Sequence, residues 1–249
     1  MTSTTGTTTD GARSLAGRVA MVTGGGSGIG AATSDSLARL GASVIAVDLR
    51  AKPTDLGPAL TPGVVLTQGD VRDYGGLQRL RDDIVGRHGR LDIVVANAGL
   101  ADWGELVVGD PSRWRNVLET NVLGVALAVR SALPGLVEQG HGHIVITSSV
   151  SGRVTYRGEP IYIASKWALV GLGRALRKEV SDSGVRVTLI EPGIVDTPLV
   201  SGTPEGREEL ANVVALTAQD VADAITYAVT RPAHVDVDEL MLSPVRQAL

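Results

Sequence analysis

The chain has 249 residues, 43% of them hydrophobic and 20% charged, with a formal net charge of −4. That length accommodates one α/β domain, and the mild negative balance implies no basic surface for nucleic acid. There is no cysteine, which excludes disulfides, thiolate nucleophiles and thiolate metal ligands and fits a cytoplasmic protein.

Residues 1–14, opening "MTSTTGTTTDGA", are rich in Thr and Gly and lack the apolar core of a signal peptide, so they read as a disordered tail. No later segment reaches the roughly 18–20 uninterrupted apolar residues of a membrane span. Residues 15–249 read as a single domain of alternating strands and helices. A strand at 18–23, a glycine cluster and a helix at 28–40 come first. Strands at 43–48 and 63–68 follow, with a Pro/Gly-rich loop at 53–63 between them. An amphipathic helix at 75–87 leads into a strand at 91–96. A long helix spans 112–138, where Pro134 is expected to kink or end it early, and a strand follows at 143–148. A helix at 161–182, a strand at 185–190, a mixed segment, a helix at 218–230 and a strand at 238–242 complete the pattern. The strands are apolar enough to be buried on both faces, which predicts a doubly wound parallel sheet, a Rossmann fold, with helices on both faces.

"TGGGSGIG" at 23–30 directly follows the first strand and opens the first helix. Gly24 permits a sharp turn, while Gly28 and Gly30 let backbone approach a pyrophosphate at the helix N-terminus, where free N–H groups favour negative charge. Ser27 and Ile29 fall within the same turn. The spacing G-x-x-x-G-x-G differs from the G-x-G-x-x-G fingerprint, and glycine clusters also mark plain tight turns. Asp48 ends the second strand, about twenty residues on. A carboxylate there accepts hydrogen bonds from an adenosine ribose and repels a 2′-phosphate, so NAD is favoured over NADP. Neither Ser27 nor Leu49 is basic, although Arg39 and Arg50 are near enough in sequence to offer a 2′-phosphate a partner. A strand-end Asp that merely caps a turn is the plainer reading.

Tyr162 and Lys166 stand four residues apart, on one helix face. Tyrosine has a pKa near 10 and is a poor base at neutral pH, but a neighbouring ammonium stabilises phenolate. Lowering it by about three units takes roughly 4 kcal/mol, within reach of a lysine together with an oxidised nicotinamide. A phenol tuned in this way takes the proton from an alcohol, or returns one to a carbonyl. The pairing also arises by chance in many helices.

These stretches occur in order with "GDV" at 69–71, "ANAG" at 96–99, Asn121 in "ETNVLG", Ser149 in "ITSSVSG" and "PGIVDT" at 192–197. In that arrangement the chain resembles the short-chain dehydrogenase/reductase family from about residue 16 to 245. The resemblance implies Tyr162 as general acid/base and Lys166 as its activator and a ligand of the nicotinamide ribose. Ser149 would hydrogen-bond the substrate oxygen, and Asn121 would hold a water near the lysine. On chemistry alone Ser148 and Ser151 are alternatives to Ser149. Further cofactor contacts are implied at Asp70 and Val71 (adenine), at Asn97, Ala98 and Gly99, at Pro192 and Gly193, and at Val195 and Thr197 (carboxamide). Ala96 replaces the asparagine that more often begins the "ANAG" motif.

Other features invite plainer readings. The four histidines have no metal-ligand spacing, so no metal is expected, and His141 and His143 read as loop residues. The pairs Asp82–Asp83 and Glu208–Glu209 read as solvated faces, and "RALRKEV" at 174–180 as a face toward solvent or a partner subunit. The helices at 112–138 and 161–182 carry surplus apolar surface. In the family these helices often join subunits, which implies a homodimer or homotetramer.

The combined expectation is an NAD-dependent dehydrogenase acting on a secondary alcohol or ketone, with a small-molecule substrate and neither nucleic acid nor membrane as partner. An NADP-dependent ketoreductase of the same fold and a non-catalytic dinucleotide-binding redox sensor are the alternatives. The substrate is expected to meet residues 100–105, 150–160 and 198–214, which include Trp103, Arg153, Tyr156, Arg157 and Leu199. The last of these segments reads as a mobile lid. The two arginines are open either to a substrate carboxylate or to water.

Overall fold

The computed structural model describes residues 14–51 and 61–247. The expected tail, but for its last residue, and most of the 53–63 loop lie outside those limits. Seven parallel strands make the main sheet: β1 (Val19–Thr23), β2 (Ser43–Asp48), β3 (Val64–Gln68), β4 (Ile93–Ala96), β5 (Gly142–Thr147), β6 (Val185–Pro192) and, last in the chain, β9 (Glu239–Leu242). Their spatial order is β3-β2-β1-β4-β5-β6-β9. Helices α1 (Gly28–Arg39) and α8 (Ala218–Val229) cover one face. The other is covered by α2 (Tyr74–His88), α4 (Val125–Gln139) and α5 (Pro160–Glu179).

Strand alternation explains the two layers, because successive side chains point to opposite faces. Ala20, Val22, Val44, Val95 and Val145 join the core beneath α1 and α8. Met21, Ile45, Val94, Ile144 and Leu189 join the core beneath the other three helices. Burial on both faces holds for β1, β4, β5 and β6 but fails at β3, where Val65 is 62% exposed. That strand lies at the sheet edge, where Val64 still packs against the core beneath α1 but Val65 on the other face is left open.

The stretch at 112–138 is not one regular helix. It comprises α3 (Pro111–Leu118), a π-helical turn at Glu119–Gly124, and α4. Its most apolar 18-residue window reaches a mean hydropathy of 1.4, enough in length and composition to cross a membrane, yet 44% of that window is buried within the fold. Pro134 does not end α4, which continues to Gln139. Arg130 and Pro134 both face solvent, so the carbonyl deprived of its donor is on the wet side. Burial of Ala132 and Leu136 on the opposite side outweighs the lost bond.

One further expectation is corrected and another is refined. His143 is no loop residue; it lies in β5, 2% exposed, with Nε2 2.8 Å from the Thr188 hydroxyl. Burial holds its imidazole well below the usual histidine range and therefore neutral. The basic stretch at 174–180 is largely exposed, but two of its cations are occupied within the fold: Arg174, itself exposed, pairs with Glu239, and Arg177 donates to the carbonyl of Val187. Between β6 and α8 the chain forms a small ladder of β7 (Val195–Asp196) with β8 (Leu216–Thr217), linked by α6 (Pro198–Ser201) and α7 (Pro204–Asn212).

Candidate active site

The chain runs from β1 outward to β3 and then returns through β4 to the other side of β1. Such a reversal opens a crevice at the carboxyl ends of the strands, which is where open α/β sheets bind ligands. Here the crevice is a cleft of about 640 Å³. Every candidate residue except Gly30 and Asn121 lines it: Gly24, Ser27, Gly28, Ile29, Asp48, Leu49, Asp70, Val71, Asn97, Ala98, Gly99, Ser149, Tyr162, Lys166, Pro192, Gly193, Val195 and Thr197.

The glycine turn is built for close approach. Gly24 has φ +64°, and a Cβ there would come within 2.8 Å of the Ala98 Cα. A Cβ on Gly30 would lie 2.0 Å from the Gly24 carbonyl oxygen, so Gly30 closes the turn on itself instead of facing the cleft. Asn97 fastens the turn from β4, donating from Nδ2 to the Thr23 carbonyl at 3.2 Å. Ser27 precedes α1 without capping it through its side chain, and the first turn of the helix holds no acid. The N–H groups there are thus left for an anion, which suits a dinucleotide pyrophosphate.

At the far end of the cleft the Asp48 carboxylate accepts from the backbone N–H of Gly26 (3.2 Å) and of Arg50 (3.0 Å). The cleft also contains Arg50, which makes no ion pair among the described residues, and Arg72. Arg72 is occupied: it grips Asp70 with Nε 2.9 Å from Oδ1 and Nη2 2.7 Å from Oδ2, and holds that carboxyl below its ordinary range.

At the opposite end, α5 carries Tyr162 and Lys166. The ammonium lies 5.4 Å from the centre of the phenol ring and donates to the Thr147 carbonyl at 3.1 Å. Burial lowers its pKa to about 8. The phenol is shifted upward, against the expectation that the lysine lowers it. Burial is the largest cause and the Glu159 charge adds to it, while the neighbouring Ser149 hydroxyl acts the other way. Glu159, one turn before the tyrosine, is itself pushed up to about 7 by burial and by the charge of Glu209. Sequence reasoning missed Glu159 and took Glu209 for a solvated face, since nothing local reveals that α7 returns toward the start of α5.

Geometry separates the three serines. Ser148 donates to the Lys166 carbonyl (3.1 Å) and Ser151 to Glu159 (3.4 Å), whereas Ser149 acts on the phenol. The Ser149 Oγ also donates to the Pro192 carbonyl at 3.3 Å. Asn121, 1% exposed, stands behind the cleft on the π-helical turn. Its Nδ2 donates to the Leu100 carbonyl (2.8 Å) and the Ser165 hydroxyl (3.0 Å), and its Oδ1 accepts from the Leu100 N–H (2.7 Å). Ser165 in turn donates to the Tyr162 carbonyl at 2.6 Å, so Asn121 ties the loop after β4 to the helix of the tyrosine.

The short chain dehydrogenase family profile matches residues 18–208. The chain belongs to the short-chain dehydrogenase/reductase family. This short-chain dehydrogenase is 33% identical over 229 residues to an uncharacterized oxidoreductase of Staphylococcus epidermidis, covering 92% of this chain and 97% of that one. Among solved structures it resembles a closed form of serine dehydrogenase complexed with NADP+, at 32% identity and a TM-score of 0.86, over 93% of this chain and 96% of that one. It also resembles levodione reductase, at 28% identity and a TM-score of 0.81, over 91% and 96% of the two chains.

The expected substrate wall is only partly formed by the predicted side chains. Leu199 lines the cleft together with Val200 and Thr203; Trp103, Arg153, Tyr156 and Arg157 do not. Both arginines are paired, Arg153 with Glu191 and Glu239, and Arg157 with Glu105.

Proposed function

We propose that this oxidoreductase interconverts a secondary alcohol and a ketone, with Tyr162 moving the proton at the substrate oxygen. The observation that carries the reading is the convergence of Ser149, Tyr162 and Lys166 on the same cleft as the uncapped α1 turn and Asp48. A bound nicotinamide dinucleotide supplies the hydride acceptor or donor. Ser149 holds the substrate oxygen by a hydrogen bond and stabilises charge that develops there. Lys166 keeps a positive charge beside the phenol and favours its ionised form. Asn121 fixes the loop at Leu100 and the backbone of Tyr162 in one frame.

NAD is the favoured cofactor, because the Asp48 carboxylate in the cleft accepts ribose hydroxyls and repels a 2′-phosphate. Arg50 supports the second reading, NADP: its guanidinium makes no ion pair among the described residues, and the similar serine dehydrogenase structure holds NADP+. With Arg153 and Arg157 both engaged, neither offers a ready anchor for a substrate carboxylate. Exposed Leu118, Leu123 and Trp167 support self-association through the α3–α4 segment and α5.

The test is absorbance at the reduced-nicotinamide band with a panel of secondary alcohols and serine, with NAD and NADP in parallel, for the wild type and for Tyr162→Phe and Asp48→Ala. Tyr162→Phe is expected to lose about 10²–10⁴-fold in kcat while keeping cofactor affinity, and Asp48→Ala to lose the preference for NAD. Full activity of the phenylalanine variant refutes the proton role. Silence of the wild type with every alcohol leaves the non-catalytic redox-sensor reading standing.

A further inference from the structure

We propose that Arg153 is a positioning residue for the reaction: locked to Glu191 and Glu239, it sets the loop carrying Ser149 against the end of β6. The inference rests on Ser149 and Tyr162 being the pair that handles the substrate oxygen.

Ser149 begins a short 3₁₀ turn, Val150–Gly152, with its Oγ accepting from the Ser151 N–H at 3.1 Å. Its only tie to β6 in the described structure is the 3.3 Å bond to the Pro192 carbonyl, long for a hydroxyl donor. Arg153 ends the same turn, its N–H bonded to the Val150 carbonyl at 2.8 Å. Its Nε stands 2.9 and 3.0 Å from the two Glu191 oxygens, and its Nη2 stands 2.6 Å from Oε1. Glu191 is the residue just before Pro192 and is 1% exposed. The same two segments are joined by the Ser148 N–H to the Ile190 carbonyl at 2.7 Å, by the weak Ser149 hydroxyl bond, and beyond them by a planar, charge-assisted grip that tolerates little rotation.

The grip extends to the tyrosine helix. Nη2 of Arg153 also pairs with Glu239 at the start of β9, and Arg174 of α5 reaches Glu239 from the other side, with Nε 2.7 Å from Oε1. Two arginines and two glutamates thus connect the Ser149 loop, the Pro192–Gly193 turn and the helix carrying Tyr162. Stability alone is a poor account of this arrangement, because a buried ion pair is commonly no more stabilising than apolar residues of the same volume. A directional ion pair adds a fixed angle between the segments, which apolar packing does not provide.

The test is the double variant Arg153→Met/Glu191→Gln, which removes both charges and leaves no orphaned buried ion. It should fold, bind NADH or NADPH (followed by their fluorescence) within about twofold of the wild type, and lose at least about tenfold in kcat with an alcohol that the wild type oxidises. Its crystal structure should show the Ser149 Oγ withdrawn from the Pro192 carbonyl. A folded double variant with unchanged kcat and Ser149 in place overturns the proposal. Should it not fold, Glu239→Gln alters only the more exposed partner. A fall of about threefold or more in kcat at constant cofactor affinity then supports the proposal, and an unchanged kcat with unmoved Ser149 overturns it. If the wild type oxidises no alcohol, the functional reading fails separately, and the position of Ser149 in the variant crystals still decides the positioning claim.

Discussion

Lys166→Met offers the sharpest probe of how the tyrosine works. At 5.4 Å from the ring centre, and with an effective dielectric of about 20, an ammonium stabilises a phenolate by about 3 kcal/mol, a little over two pKa units. The phenol starts above its ordinary value because it is buried and Glu159 lies nearby, and the Lys166 ammonium beside the ring is the cation positioned to offset that shift. Replacing it with an apolar side chain of similar length should therefore cost about 10²-fold in kcat at pH 7 and saturating cofactor. The pH dependence sharpens the test. Lys166 itself loses its proton near pH 8, so the wild-type advantage should be complete below that pH and shrink above it, with the two profiles converging toward pH 10. The assay is kcat at saturating cofactor from pH 6 to 10 for both proteins. Parallel profiles with a constant offset would mean that the lysine only holds ligand, and superimposable profiles would refute the electrostatic argument altogether.

Gly30→Ala places a Cβ about where the Gly24 carbonyl oxygen stands. The turn must open, at a cost of roughly 1–3 kcal/mol, which should appear as a fall of several degrees in Tm and at least about a tenfold rise in the Kd for NADH; unchanged values of both would show that the turn is slack. Glu159→Gln tests the acid beside the phenol. A carboxyl raised to about 7 in the fold contributes stability that is fully present below about pH 4.5 and is lost as the pH rises through 7. The wild-type Tm should decline across that window and the glutamine variant's should not, while the variant's kcat profile should shift toward lower pH as the repulsion on the phenolate disappears. Equal slopes of Tm against pH would contradict the burial of that charge.

The sequence carried what depends on neighbours along the chain. Alternating strand and helix periods predicted the doubly wound sheet, because each pattern must bury its apolar side against the other. A strand, a glycine turn and a helix start are contiguous, so the turn at one end of the cleft was legible as a unit from Thr23 to Gly30. Tyr162 and Lys166 share a face by helical spacing alone. Only the tertiary structure decided which partners those residues meet. The lysine's acceptor is the carbonyl of Thr147, 19 residues away, and a backbone carbonyl leaves no mark on residue identity. Arg153 was open to a substrate or to water but is held by Glu191 and Glu239, 38 and 86 positions onward, because sheet order brings the end of β6 and the start of β9 beside the loop after β5. His143 joined the core and Pro134 stayed within its helix for the same reason: burial on one side and water on the other are properties of the assembled layers. Local spacing therefore named most of the residues that line the cleft, while the folded sheet set their charges, their bonds and the direction in which each one faces.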